Sequence, residues 1–166
     1  MATTIYTYLH NDDLNGSRIV SMDDCMCKLY NIKRDDAAFL KDFNDDLQKP
    51  ALYILLNKKQ LKAYIGETDD FTKRIVQHLS KKDFWEEVLV FNGVNDDTIS
   101  KTEVQYLEFC AYTKASDVKS YDLSENTQSP KCLLYRSYAA DEYPCVDLGG
   151  RRIIKKKNGG GGGWGG

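Results

Sequence analysis

An α+β fold is predicted for this chain of 166 residues, and three observations carry the prediction. Short apolar runs of strand length recur along the first ninety residues, and two later segments place apolar residues at helical spacing. Turn-forming clusters such as HNDDLNG, MDD and NGVNDD separate them. The pattern divides the chain into a small β-rich segment over 1–49, a mixed unit over 50–130 and a C-terminal extension over 131–166.

In the first segment TTIYTYL, SRIVSM and CKLYNI read as strands, followed by the polar and helix-compatible DDAAFLKDF. The period of two in CMCKLYNI puts Cys25 and Cys27 on one face. Pro50 marks a boundary, after which ALYILL, the polar turn NKKQ and LKAYIG predict a β-hairpin. Gly66 ends the second strand, and ETDD offers N-cap side chains to a helix over FTKRIVQHL. Phe71, Ile75 and Leu79 form its apolar stripe, and Arg74 and His78 share a different flank one turn apart. FWEEVLVF is a third strand. Ser100 and Glu103 then have the spacing of a capping box, opening a helix to about residue 115. Its expected core face is Val104, Leu107 and Ala111, with Glu108 beside that face at i+4 from Val104.

Composition limits what the chain can do. Hydrophobic residues make up 42% and charged residues 29%, enough apolar material for a packed core. No run approaches the length of a membrane span, and MATTIYTYLHNDD lacks the features of a secretory signal, so a cytoplasmic protein is expected. The five cysteines, Cys25, Cys27, Cys110, Cys132 and Cys145, are scattered with no CxxC pair and are expected as free buried thiols. A net charge of −2 gives no overall attraction to nucleic acid, so any phosphate-binding site needs a local basic patch or the tail. The tail ends in Lys155-Lys156-Lys157 and a glycine run around Trp164, and residues 155–166 are expected to be disordered.

The mixed unit carries a combination of residues that a fold alone does not require. Ala51-Leu52-Tyr53 is followed by Tyr64-Ile65-Gly66, then by Arg74 and His78 on the first helix, Glu108 on the second and Asn126 beyond it. In this order the segment from 50 to about 127 resembles the GIY-YIG nuclease family. The run KDFWEEVLVFNG with SKTEVQYLE also resembles a bacterial branch of that family in which the module follows a short N-terminal β segment.

The resemblance implies a three-stranded antiparallel sheet flanked by helices and cleavage of DNA phosphodiester bonds with a divalent metal, Mg2+ or Mn2+. It supports a tyrosine as general base without saying which; our reading places Tyr53 there, with Tyr64 orienting the water or phosphate. A phenol with an ordinary pKa near 10 needs positive charge from the metal, Arg74 or Lys73 to act at neutral pH. Arg74 presents planar donors to the phosphate, and His78 donates to it or shares the proton relay. Glu108 is the candidate metal ligand, since magnesium is commonly held by one or two carboxylates plus waters and phosphate. Glu103 is explained as a cap instead. Asn126 matches a late asparagine that helps hold the site together.

Ala51 stands where the family motif has glycine, which matters only if that backbone needs a positive φ. Singly, each residue has a structural account: tyrosines form strands, and Arg74 and His78 suit a helix surface or core. The alternative function is a catalytically inactive nucleic-acid-binding or accessory module, and a weaker one is a structural protein that touches no nucleic acid.

Overall fold

Alternation of buried side chains along the hairpin determines the architecture, because successive residues of a strand face opposite sides of a sheet. In a computed structural model, which describes residues 3–23, 25–36, 40, 44–94 and 99–130, strand β4 (Ala51–Asn57) pairs antiparallel with β5 (Lys62–Thr68). Ala51, Tyr53 and Leu55 enter one core, and Leu52 and Ile54 the other. Helix α2 (Phe71–Lys81) covers the first face through Phe71 and Ile75. Helix α3 (Lys101–Val118) covers the second through Val104, Ala111 and Ala115.

The sheet has six strands, which corrects the expectation of three. Strand β6 (Glu87–Gly93) pairs with β4, giving the expected antiparallel trio, and then pairs with β3 (Cys27–Lys33) from Cys27↔Gly93 to Lys33↔Glu87. Strands β2 (Arg18–Met22) and β1 (Ile5–Leu9) extend the order to β1-β2-β3-β6-β4-β5. The N-terminal strands thus continue the sheet of the mixed unit. A short helix, α1 (Asn44–Leu47), docks beside them: Tyr30 donates to Asp46 Oδ2 at 2.8 Å and Asn92 Nδ2 donates to the Asp46 carbonyl at 2.6 Å.

Arg34, just past β3, reaches the far end of α2. It donates to the carbonyls of Lys82 at 2.8 Å and Leu79 at 3.3 Å, and its guanidinium lies 4.6 Å from the Trp85 ring. Late helix carbonyls lack partners within the helix and carry the negative end of its dipole, so a cation there steadies the last turn. The N-terminal segment therefore anchors the helix that carries Arg74 and His78.

The helix starts follow the expected chemistry. Asp70 is the N-cap of α2, accepting from the Lys73 N–H at 3.1 Å, and Ser100 and Glu103 form a complete capping box. Ala51 lies in β4, fully buried and with no positive φ, so the missing glycine costs no strain there. Leu107 is a correction: it is 37% exposed, and α3 turns Val104, Glu108, Ala111 and Ala115 inward instead. Cys25, Cys27 and Cys110 are free as expected but half-buried rather than buried. DDAAFLKDF falls almost wholly outside the described residues, as do Cys132, Cys145, the lysine cluster, Trp164 and the expected disorder of 155–166. No helix among the described residues is long and apolar enough to cross a membrane.

Candidate active site

Register brings the two tyrosines together. Tyr53 pairs with Gly66 and Leu55 with Tyr64, so Tyr53 and Tyr64 point to the α2 face with ring centroids 6.1 Å apart. Gly66 is the hole into which Tyr53 fits. A Cβ at this position would lie 2.5 Å from the Tyr53 hydroxyl oxygen and 2.9 Å from a Tyr64 ring carbon, closer than side chains approach. The glycine of Tyr-Ile-Gly is therefore a packing requirement of the tyrosine one strand away.

Helix α2 supplies the partners of that phenol. Arg74 Nε donates to the Tyr53 hydroxyl at 3.1 Å, and His78 Nε2 lies 2.8 Å from the same oxygen. Burial and the positive charges of Arg74, Lys82 and Lys81 push the His78 pKa down to about 4, so its ring is neutral at pH 7. A neutral Nε2 accepts from the Tyr53 O–H when the other ring nitrogen carries the proton and donates to the phenol oxygen in the other tautomer. His78 is only 6% exposed, which corrects its placement on a flank away from the apolar stripe; it sits inside the core between the two tyrosine rings.

Burial dominates the acidity of Tyr53, with a further rise from Tyr64, and holds its pKa well above that of an ordinary phenol despite the opposing pull of Arg74. Lys73 does not join the site. Its ammonium pairs with Asp70 at 2.9 Å on the exposed side of the helix, which leaves Arg74 as the cation in contact with the phenol. Lys82, unremarked in the sequence, continues the Arg74–His78 spacing by four. It lies 4.4 Å from the centre of the Tyr64 ring and donates to Glu125 Oε2 at 2.9 Å.

The other half of the site borders the free edge of β5, whose outward backbone groups are claimed in sequence. The Ala63 N–H donates to the Asp122 carbonyl at 3.0 Å. Asn126 grips Ile65 on both sides, accepting from its N–H at 3.0 Å and donating to its carbonyl at 2.6 Å. Further along this edge the Glu67 backbone favours the charged form of the Glu108 carboxylate. An amide side chain mimics a neighbouring strand here, so Asn126 holds Ile65, the residue between Tyr64 and Gly66, in line.

Glu108 comes from the helix on the opposite face of the sheet from α2, yet it lies near enough to Arg74 to be influenced by its charge. The tyrosines and the helix that carries Glu108 pack on opposite faces of the sheet, and the charge of Arg74 is what links Glu108 to the tyrosine side. Burial and the charge of Glu67 raise the Glu108 pKa, opposed by the Glu67 backbone, Lys101 and Arg74. A carboxylate pushed upward by a second carboxylate is a site where a divalent cation relieves repulsion. Among the described residues no three His, Cys, Asp or Glu side chains converge on a metal position. Glu108, alone or with Glu67, is the carboxylate that could hold an ion, and one or two carboxylates are enough for a magnesium or manganese ion that keeps its waters. Glu67 and Lys101, beside Glu108, carried no motif signal; a lysine opening a helix, against the dipole, was the available clue.

A separate hollow of about 520 Å3, lined by Lys33, Arg34, Lys58, Trp85 and Glu87 among others, contains none of the candidate residues.

Residues 49–121 match the model of the GIY-YIG catalytic domain, a span that contains every candidate residue except Asn126. No curated protein and no solved structure matches the chain. Residues 49–121 therefore carry a GIY-YIG catalytic domain, and that segment is the part of the chain that is assigned to the GIY-YIG nuclease family.

Proposed function

We propose that the protein is a divalent-metal-dependent endonuclease that hydrolyses DNA phosphodiester bonds at the margin of β5. The observation that carries this reading is the Tyr53 hydroxyl bound at once by Arg74 and His78, with Glu108 within reach of the charge of Arg74. Phosphodiester hydrolysis needs a proton acceptor for the attacking water, positive charge on the phosphoryl oxygens and help for the leaving oxygen.

Each residue has a defined task. Arg74 makes one bond to Tyr53 through Nε and another to the Gln77 side chain through Nη1. Its exposed fork can exchange the Gln77 contact for phosphate oxygens. Arg74, Lys81 and Lys82 together form the local basic patch that an acidic chain needs for a phosphate backbone. Tyr53 takes the proton of the attacking water as its own proton passes to His78 Nε2, which the negative charge of the bound phosphate makes more basic, and Tyr64 orients the water or phosphate above it. A divalent ion held by Glu108 supplies charge neutralisation at the phosphoryl and leaving oxygens when bound. Asn126 positions the strand that carries Tyr64 and Glu67.

Incubating the full chain with supercoiled plasmid and Mg2+ or Mn2+ tests the reading. Conversion to nicked or linear DNA is expected, with Arg74→Ala and Glu108→Gln each reducing the rate by about a hundredfold or more. Nicking that survives both substitutions would assign it to another source. DNA binding without nicking in any metal would make the chain an accessory module.

A further inference from the structure

Lys101 occupies an unfavourable position for a cation. It is the first residue of α3, directly after the Ser100 cap, where the helix dipole favours acids. Its ammonium is nevertheless held there by two carboxylates, Glu67 Oε2 at 2.5 Å and Asp69 Oδ1 at 3.0 Å. Glu67 Oε2 is shut off from solvent and has no well-angled hydrogen-bond donor, so the ion pair is what balances it. Glu108 lies close enough to feel the charges of both Glu67 and Lys101, which ties it electrostatically to the Lys101 ion pairs.

We infer that Lys101 is a resident counter-ion: its ammonium neutralises the acid corner of Glu67, Asp69 and Glu108 until a divalent cation displaces it, and Glu67 then joins Glu108 in facing the ion. The inference rests on the metal-dependent reading of the site and deepens it. A lysine suits this exchange because its charge ends a flexible stem. Lys101 is about a third exposed, so the ammonium can swing into solvent without opening the core. Two carboxylates left facing each other without either cation would repel, so the exchange keeps the corner neutralised throughout. Lys101 therefore sets the metal concentration at which the site fills.

Binding of Mn2+ to the full chain, without DNA, measured by calorimetry or by the electron paramagnetic resonance of the free ion, tests this directly. Lys101→Met should tighten Mn2+ by about three- to tenfold, the scale of removing one nearby charge that opposes a divalent ion. Lys101→Arg should stay near wild type, and Glu67→Gln should weaken binding. Circular dichroism melts confirm that each variant folds, and a purely structural lysine would not tighten metal binding when removed. If Lys101→Met binds Mn2+ as the wild type does while Glu108→Gln loses it, the counter-ion role is overturned and the nuclease reading stands. If Glu108→Gln binds Mn2+ unchanged, the metal assignment at Glu108 fails and the inference fails with it.

Discussion

The α2 face and the β5 edge hold the two halves of one site in opposite physical states. On the α2 face, Tyr53 is completely buried, His78 is nearly so, and the hydroxyl and ring nitrogen satisfy each other at 2.8 Å. At the edge, Glu67, Asp69, Glu108 and Lys101 are partly exposed or more, and acids outnumber the cation. A satisfied buried network is rigid and costly to disturb, whereas exposed charges contribute little to stability and exchange partners readily. The difference separates the work of the site. The packed half fixes the Tyr53 hydroxyl against the Arg74 guanidinium and His78, and the charged half is the one whose partners exchange readily.

Breaking the packed half should produce the largest stability effect. Gly66→Ala drives a methyl into the Tyr53 hydroxyl, which cannot retreat because Phe71 and His78 enclose the ring at centroid distances of 5.6 and 5.3 Å. Overpacking of this kind costs about 1–3 kcal/mol, and the upper end is expected here because three atoms lie within 3 Å of the new carbon. Urea denaturation should show the loss as a lower midpoint with an unchanged slope. An unchanged midpoint would mean that Tyr53 is not locked, and the contrast between the halves would weaken.

Particular residues show how far such a comparison can be read from sequence. The hairpin, both helix starts and the meeting of Tyr53, Tyr64 and Arg74 were legible, because strand period, caps and turn residues are local signals. The six-stranded sheet was not. CKLYNI announces a strand, but its partner β6 lies about sixty residues away, and no local pattern names the partner. Leu107 was misplaced for a related reason. The true inner stripe of α3 contains Glu108, and a reading based on hydrophobicity moves the stripe to the nearest leucine. His78 was moved outward by the same habit, since its burial depends on two tyrosines brought in by another pair of strands. In both helices the error falls on a site residue, where polar groups replace apolar ones on a packed face.

Acid should sharpen the comparison with a somewhat smaller effect. The His78 pKa is lowered from 6.5 to about 4, first by burial and then by Arg74, Lys82 and Lys81. The unfolded chain therefore takes up a proton as pH falls through about 6.5, whereas the folded chain resists until about 4. This contribution is fully present above the unfolded pKa and is lost progressively across that window, by about 1–3 kcal/mol. Urea midpoints at about pH 7 and about pH 5, compared between wild type and His78→Gln, isolate it. The wild type should lose more stability on acidification than the variant, and equal losses would mean that His78 is charged in the folded state.

The smallest stability effect belongs to the charged half. Lys101→Met removes both ion pairs: the one to exposed Asp69 is worth about 0–1 kcal/mol, and the one to the shielded Glu67 oxygen adds a modest loss because that carboxylate can turn toward solvent. The substitution also removes a positive charge from the start of α3, where the dipole makes it unfavourable by a few tenths of a kcal/mol. The two contributions oppose each other, and leaving Glu67 and Glu108 without their shared cation adds a modest repulsion. Thermal unfolding should therefore place Lys101→Met within about 1 kcal/mol of wild type, well short of Gly66→Ala. A loss as large as that of Gly66→Ala would make Lys101 part of the rigid framework, and the edge would no longer be the exchangeable half. A near-neutral result would mean that a lysine poorly suited to its helix is retained for a reason other than stability, as a counter-ion to the acids around it would be.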